Sequence, residues 1–188
     1  RNPPRWPSAP IQPWRAALDA YVDAVERQGV ASLPDHDRWF REVLPHSMSA
    51  RRPAHVTLAE LVRATEWKMA RGVWRAPNLV RVKSNPAELV RETSAEALAK
   101  TPHPTAPIAT LATLDGVGPA TASAIAAAYA PVTYPFFDEL VAAQIPGLGK
   151  VAWTLGYYAR YATAIRERAE KRGDGCTPVL AERALRSH

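Results

Sequence analysis

Asp138 and Glu139 form a carboxylate pair directly after Phe136 and Phe137. Apolar surroundings and a helix N-terminus push a carboxyl group's protonation in opposite directions, so such a pair can be held in a defined state for acid–base or electrostatic chemistry. The plainer alternative is that Asp138 caps a helix running through Leu140 and Val141. Upstream, the run Leu111 to Ile125 sets Gly116, Val117 and Gly118 between an apolar helix end and an alanine-rich helix start. That is the pattern of a helix-hairpin-helix. The two glycines are expected to take positive φ and bring bare backbone close to a ligand, while the amides opening the next helix, around Thr121, lack intrahelical acceptors. A turn of this kind cradles anions, and its usual anion is a nucleic-acid phosphate. An ordinary glycine-containing turn between packed helices is the competing reading. A dinucleotide-binding loop fits less well, because Gly-Val-Gly-Pro-Ala-Thr lacks a third glycine and no strand-like run precedes it.

Charge supports polyanion contact. The chain of 188 residues carries 24 basic and 18 acidic residues, a net charge of +6. Residues 51–83 alone hold Arg51, Arg52, Arg63, Lys68, Arg71, Arg75, Arg81 and Lys83 against Glu60 and Glu66, an excess equal to that of the whole chain. A solvated basic face is the alternative to a phosphate-binding one. The single cysteine, Cys176, excludes an internal disulfide, a four-cysteine iron–sulfur cluster and a cysteine-rich zinc site within the chain. No apolar run approaches membrane-spanning length and no signal-peptide pattern opens the sequence, so an intracellular protein, cytoplasmic or nuclear, without a membrane partner is expected. A monomer is expected as well.

The elements that must position these residues read as helical nearly everywhere, with no convincing strand, and 47% hydrophobic content suffices for one compact core. Residues 1–13, with prolines at 3, 4, 7, 10 and 13, are expected to form an extended arm. The remainder, 14–188, is read as one helical domain with its hairpin at 111–125. Trp14, Leu18, Tyr21, Val22 and Val25 share a helix face that ends near Gly29. Asp35 is placed to cap a second helix carrying Trp39, Phe40 and Val43 and ending before Pro45. Thr57-Leu58-Ala59-Glu60 reads as a capping box, with Leu61, Ala64, Trp67 and Lys68 following. Shorter helices are expected at 86–92, 94–100 and 106–113, then one at 119–129, one from near Pro135, a long one at 150–172 and a last one after Thr177 that packs back on the body. The predicted architecture is an all-α, compact bundle of about eight to ten helices, with two lobes around a cleft as one form of it.

The run Leu114-Asp115-Gly116-Val117-Gly118-Pro119-Ala120-Thr121-Ala122, followed by Asp138, resembles the helix-hairpin-helix DNA glycosylases of the endonuclease III superfamily. In them an essential aspartate follows the hairpin, and ungapped counting from Leu114 places it at Asp138. Segments Glu66 to Arg75 and Gly116 to Glu139 are similar to a branch of hairpin proteins without the lyase lysine and the iron–sulfur cluster. Departures accompany the match. Where bifunctional members place a lysine nucleophile, two residues after the second hairpin glycine, this chain has Ala120, which excludes a Schiff base formed through that position. Basic residues are absent between Lys100 and Lys150, so phosphate contact at this hairpin would use backbone amides, with positive charge imported from elsewhere.

The resemblance implies monofunctional base excision, a DNA-repair hydrolysis of an N-glycosidic bond, on duplex or single-stranded DNA. A flipped nucleotide enters a pocket, and Asp138 stabilises the oxocarbenium-like sugar or orients water at C1′. Glu139 is the alternative carboxylate. No metal or cofactor is required. Trp67, Trp74, Tyr134, Phe136 and Phe137 are candidates to fill the vacated stack or line the base pocket, each with a core role as the alternative. Lys68 and Arg71, three apart on one helix face, are candidate phosphate contacts, and Lys68 is also the one lysine considered as an unorthodox nucleophile. Ile145-Pro146-Gly147-Leu148-Gly149-Lys150 reads as a second hairpin-like turn at the entry to the long helix, with Lys150 placed to meet phosphate, and Trp153, Leu155, Tyr157 and Tyr158 after it as core. The rival class is a non-catalytic hairpin module that binds DNA or docks a protein. RNA stays open as the nucleic acid, and the base is not specified.

Overall fold

The computed structural model describes residues 11–27, 29–173 and 175–187, with side chains from 15 onward. Most of the expected arm, 1–10, lies outside the described residues. Its last part, Ile11–Pro13, is helical rather than extended, because Pro13 falls in a first helical turn, where its missing N–H has no partner to lose. The helices, in order, are α1 (Ile11–Asp19), α2 (Tyr21–Arg27), α3 (Leu33–Arg38), α4 (Leu44–Ala50), α5 (Leu58–Arg71), α6 (Ala76–Lys83), α7 (Ala87–Ala99), α8 (Ala106–Leu111), α9 (Pro119–Tyr129), α10 (Glu139–Ala142), α11 (Leu155–Arg172) and α12 (Pro178–Arg186). No strand occurs among the described residues, so the fold is all-α.

Several local choices differ from the periodicity reading, each for an identifiable reason. The helix expected to end before Pro45 continues through a π turn, Trp39–Val43, into α4. There the Leu44 amide donates to the Trp39 carbonyl, and the widened turn places Pro45 in the opening turn of α4, where its lack of an N–H is harmless. The same turn rotates the face, so Phe40 is buried while Val43 is exposed. Asp35 sits inside the first turn of α3 and does not cap it; Ser32 holds the cap position. The two helices expected across 86–100 are one, α7, because the Ser94 hydroxyl accepts from the Val56 amide and leaves the helical backbone intact. α6, not foreseen, begins with proline in its first turn. The Thr57–Glu60 capping box is present in both directions, an arrangement worth about 1 kcal/mol.

α9 is the centre of the bundle. Every residue from Ala120 to Ala128 is buried, as a helix apolar on all sides must be. Its run of alanines lets α4, α5 and α8 approach closely. α12 packs back on α11 and α1, as expected of a last helix. α11 begins at Leu155, later than expected, capped by the Thr154 hydroxyl. No helix among the described residues is long and apolar enough to cross a membrane.

Candidate functional site

A cavity of about 820 Å³ opens between the α8–α9 turn, the C-terminal half of α5 with the start of α6, and the loop into α10. That volume falls in the range of small-ligand sites. Its lining includes Lys68, Arg71, Gly116, Val117, Gly118, Phe136, Phe137, Asp138 and Glu139, so residues far apart in the chain and singled out for chemistry meet in one place.

The hairpin is built by two different glycines. Gly116 has φ 72°, and a Cβ there would come within 2.8 Å of the Asn78 carbonyl and of Val82 on α6. It therefore faces the protein, and its role is to let the turn seat on α6. Asn85 locks that seat: its amide donates to the Asp115 carbonyl (2.9 Å) and its carbonyl accepts from the Asp115 amide (3.0 Å). Gly118 departs from the expected positive φ; it is extended, at φ −95° and ψ −177°. It stands at the N-cap of α9 with no side-chain cap and with open space where a Cβ would point. Gly118, Pro119 and Ala120 line the cavity, so the uncapped start of α9 faces its interior.

The approach to Asp138 is not the expected helix from Pro135. Its backbone is held extended by side chains from α9 and α11: Tyr158 donates to the Pro135 carbonyl (3.1 Å), Tyr161 to the Phe136 carbonyl (2.7 Å), and Ser123 Oγ accepts from the Phe137 amide (2.9 Å). Asp138 emerges only 7% exposed. Its Oδ1 accepts from the amides of Leu140 (2.8 Å) and Val141 (3.1 Å), capping α10. Its Oδ2 lies 3.2 Å from Arg71 Nη2 and 3.4 Å from Arg186 Nε. Cap and cavity wall are thus the same carboxylate. Glu139 is exposed on the rim.

Arg71 anchors the cavity's rear wall. Its guanidinium pairs with Asp138 and Glu182 and bonds the Tyr21 hydroxyl, which in turn donates to the buried Asp37. Trp67 Nε1 and Arg41 also donate to Asp37, and Arg186 donates to the Arg71 carbonyl. Burial pushes the Glu182 carboxyl up to about 7, outweighing the opposing pull of Arg71. Burial likewise drives the Tyr21 and Tyr161 hydroxyls upward.

Positive charge reaches the hairpin from α5 and α6. Lys68, Arg75 and Arg81 line the cavity beside a hairpin that has no basic residue of its own. The Lys68 ammonium donates to Thr121 Oγ1 at 3.2 Å, which accounts for the buried Thr121 side chain.

Other candidates lie elsewhere. The Trp67 ring is stacked on Phe40, with centroids 3.8 Å apart, and is buried in the core. Tyr134 is buried, its hydroxyl donating to the His103 carbonyl. Trp74 is exposed and does not line the cavity. The turn at Ile145–Lys150 repeats the first hairpin's bonding: the Leu148 amide donates to the Ile145 carbonyl as Val117 does to Leu114, and Gly147 (φ 77°) matches Gly116. It leads into a non-helical stretch before α11, and the exposed Lys150 does not line the cavity. Trp153, read as core, is 46% exposed on the cavity rim with its ring 4.8 Å from that of Phe137. Trp153, Arg75, Arg81, Arg186 and Glu182 were not singled out by motif; the basic run at 51–83 was the only signal for the first two arginines. Among the described residues no cluster of three His, Cys, Asp or Glu side chains is placed to hold a metal ion. Searches against protein-family models, curated proteins and solved structures found no match to this chain.

Proposed function

We propose that this chain is a DNA glycosylase-type hydrolase of the helix-hairpin-helix class it resembles, acting on a nucleotide turned out of the stack into the cavity. The observation that carries the reading is the convergence of Asp138, the uncapped start of α9 and the α5–α6 cations on one cavity. Backbone phosphates meet the hairpin amides, with Arg75 and Arg81 supplying the charge the hairpin lacks. Trp153 on the rim offers a stacking face, and Phe136 and Phe137 give the floor its apolar surface. As the C1′–N bond breaks, its electron pair leaves with the base, and Asp138 stabilises the positive charge that develops on the sugar. Water forms the new C1′–O bond, and its proton passes to a rim carboxylate, Glu139 being the exposed one. Base release on this scheme needs no covalent intermediate. The chemistry does not select among bases.

A second reading, a non-catalytic hairpin module for DNA or protein, is favoured by one observation: both oxygens of Asp138 already hold structure, one capping α10 and one pairing with arginines. Incubating wild type and Asp138→Asn with duplex and single-stranded DNA carrying a panel of damaged bases, then cleaving abasic sites with alkali, separates the two. Cleavage by wild type that Asp138→Asn abolishes without loss of DNA affinity supports the hydrolase. No abasic product from any substrate, together with salt-sensitive binding, supports the module.

A further inference from the structure

We propose that Lys68 is a second reactive group of this cavity, an amine that condenses with the aldehyde form of a sugar from which the base has been removed. The inference rests on the proposed function for its ligand: hydrolysis at C1′ leaves a hemiacetal, which opens to an aldehyde. The amine itself stands on the geometry of α5.

Lys68 lies one helical turn before Arg71 and lines the same cavity as Asp138. Its Nζ is fixed 3.2 Å from Thr121 Oγ1, next in the chain to Ala120, which also lines the cavity. Among the described residues no carboxylate pairs with it. The hydroxyl partner suits both protonation states, accepting from the ammonium and free to donate to the neutral amine. Burial, reinforced by the nearby Arg75 guanidinium, lowers the ammonium from its ordinary value, raising the share of neutral amine. The chain's other lysines, Lys83, Lys100, Lys150 and Lys171, are all exposed, and Lys100 is paired with Glu96. Lys68 alone joins a desolvated amine to a cavity that admits a sugar.

The step is a condensation. Nζ attacks the aldehyde carbon, the C1′–N bond forms, and the carbonyl oxygen departs as water with two protons from the amine, leaving an imine. Its consequence is a product held covalently in the cavity until water reverses the reaction.

The test uses a duplex carrying a preformed abasic site, incubated with the full chain and borohydride, which delivers hydride to C1′ and fixes an imine as a secondary amine. A stable protein–DNA adduct mapped by mass spectrometry to Lys68, absent in Lys68→Gln and Lys68→Arg, is the expected result. Asp138→Asn still forms the adduct, because the base is already gone. In wild type the trapping rate rises with pH with a midpoint below that of an ordinary lysine, a readout that does not depend on any variant folding. Binding without an adduct, or an adduct on another amine, overturns the proposal. Since the abasic site is preformed, failure of base release and failure of Lys68 are read separately.

Discussion

Asp138 Oδ2 lies 3.2 Å from Arg71 Nη2, and the same guanidinium nitrogen is bound to Glu182. One buried arginine therefore joins the loop that presents the candidate carboxylate to the last helix. A buried cation of this kind is tolerable only while its partners stay in place, so the cavity wall and the C-terminal packing rise or fall together.

Asp138 does two separable jobs. Asp138→Asn keeps an oxygen for the amides of Leu140 and Val141, whereas Asp138→Ala removes the cap as well. The alanine variant should therefore be about 1 kcal/mol less stable than the asparagine variant in urea unfolding. Equal midpoints for the two would show that the cap contributes nothing.

The two hairpin glycines should respond oppositely. Gly116→Ala meets α6 backbone at 2.8 Å from a positive φ, and a loss of roughly 1–3 kcal/mol in stability is expected. Gly118→Ala has open space and an ordinary φ, so stability should change by less than about 0.5 kcal/mol. DNA affinity should nonetheless fall, because the methyl group enters the cavity at the α9 amides. Calorimetric unfolding and a binding titration on both variants decide this.

Glu182 makes stability pH-dependent. Its folded value of about 7 stands above the ordinary carboxyl value of 4.5, so between those limits the folded chain binds the extra proton. Its contribution is complete below the lower limit and disappears as pH rises through the upper one, with a slope of at most about 1.4 kcal/mol per pH unit. Thermal scans across that window should show wild type losing stability relative to Glu182→Gln as pH increases; parallel profiles would remove Glu182 as the cause.

Arg75 and Arg81 should act through phosphate. Replacing either with alanine should weaken binding evenly across DNA sequences and reduce the slope of log affinity against log salt by about 0.9 per lost contact. An unchanged slope would place the backbone path elsewhere.

Trp153 has surface to offer a base. Trp153→Ala should cost about 1–3 kcal/mol in binding a single-stranded ligand, with a far smaller effect on the melting temperature, since the ring is already half in solvent. A variant that binds as well as wild type would leave the ring without a stacking role.

The helices with strong end signals were legible from sequence: the Thr57–Glu60 box starts α5 as written, Pro119 starts α9, and Thr177 starts α12. Asp138, Glu139, Lys68, Arg71 and the hairpin were also identifiable by type and spacing, and they share one cavity. What escaped depends on long-range partners. Nothing local says that Tyr158 and Tyr161 will hold 135–136 extended, that Asn85 will clasp Asp115, or that Trp67 will be covered by Phe40 while Trp153 is left on a rim. Periodicity reports which face is apolar, not what will cover it.

The bond between Arg71 and Glu182 spans 111 residues. During synthesis, α5 emerges long before α12, and until that helix docks the guanidinium must stay hydrated, which keeps the end of α5 from seating against Trp67 and Phe136. Closing so long a loop is slow and comes late in folding. Partly made chains therefore hold the hairpin and its glycines but no finished rear wall, and competence at the cavity arrives as one of the last events in the molecule's assembly.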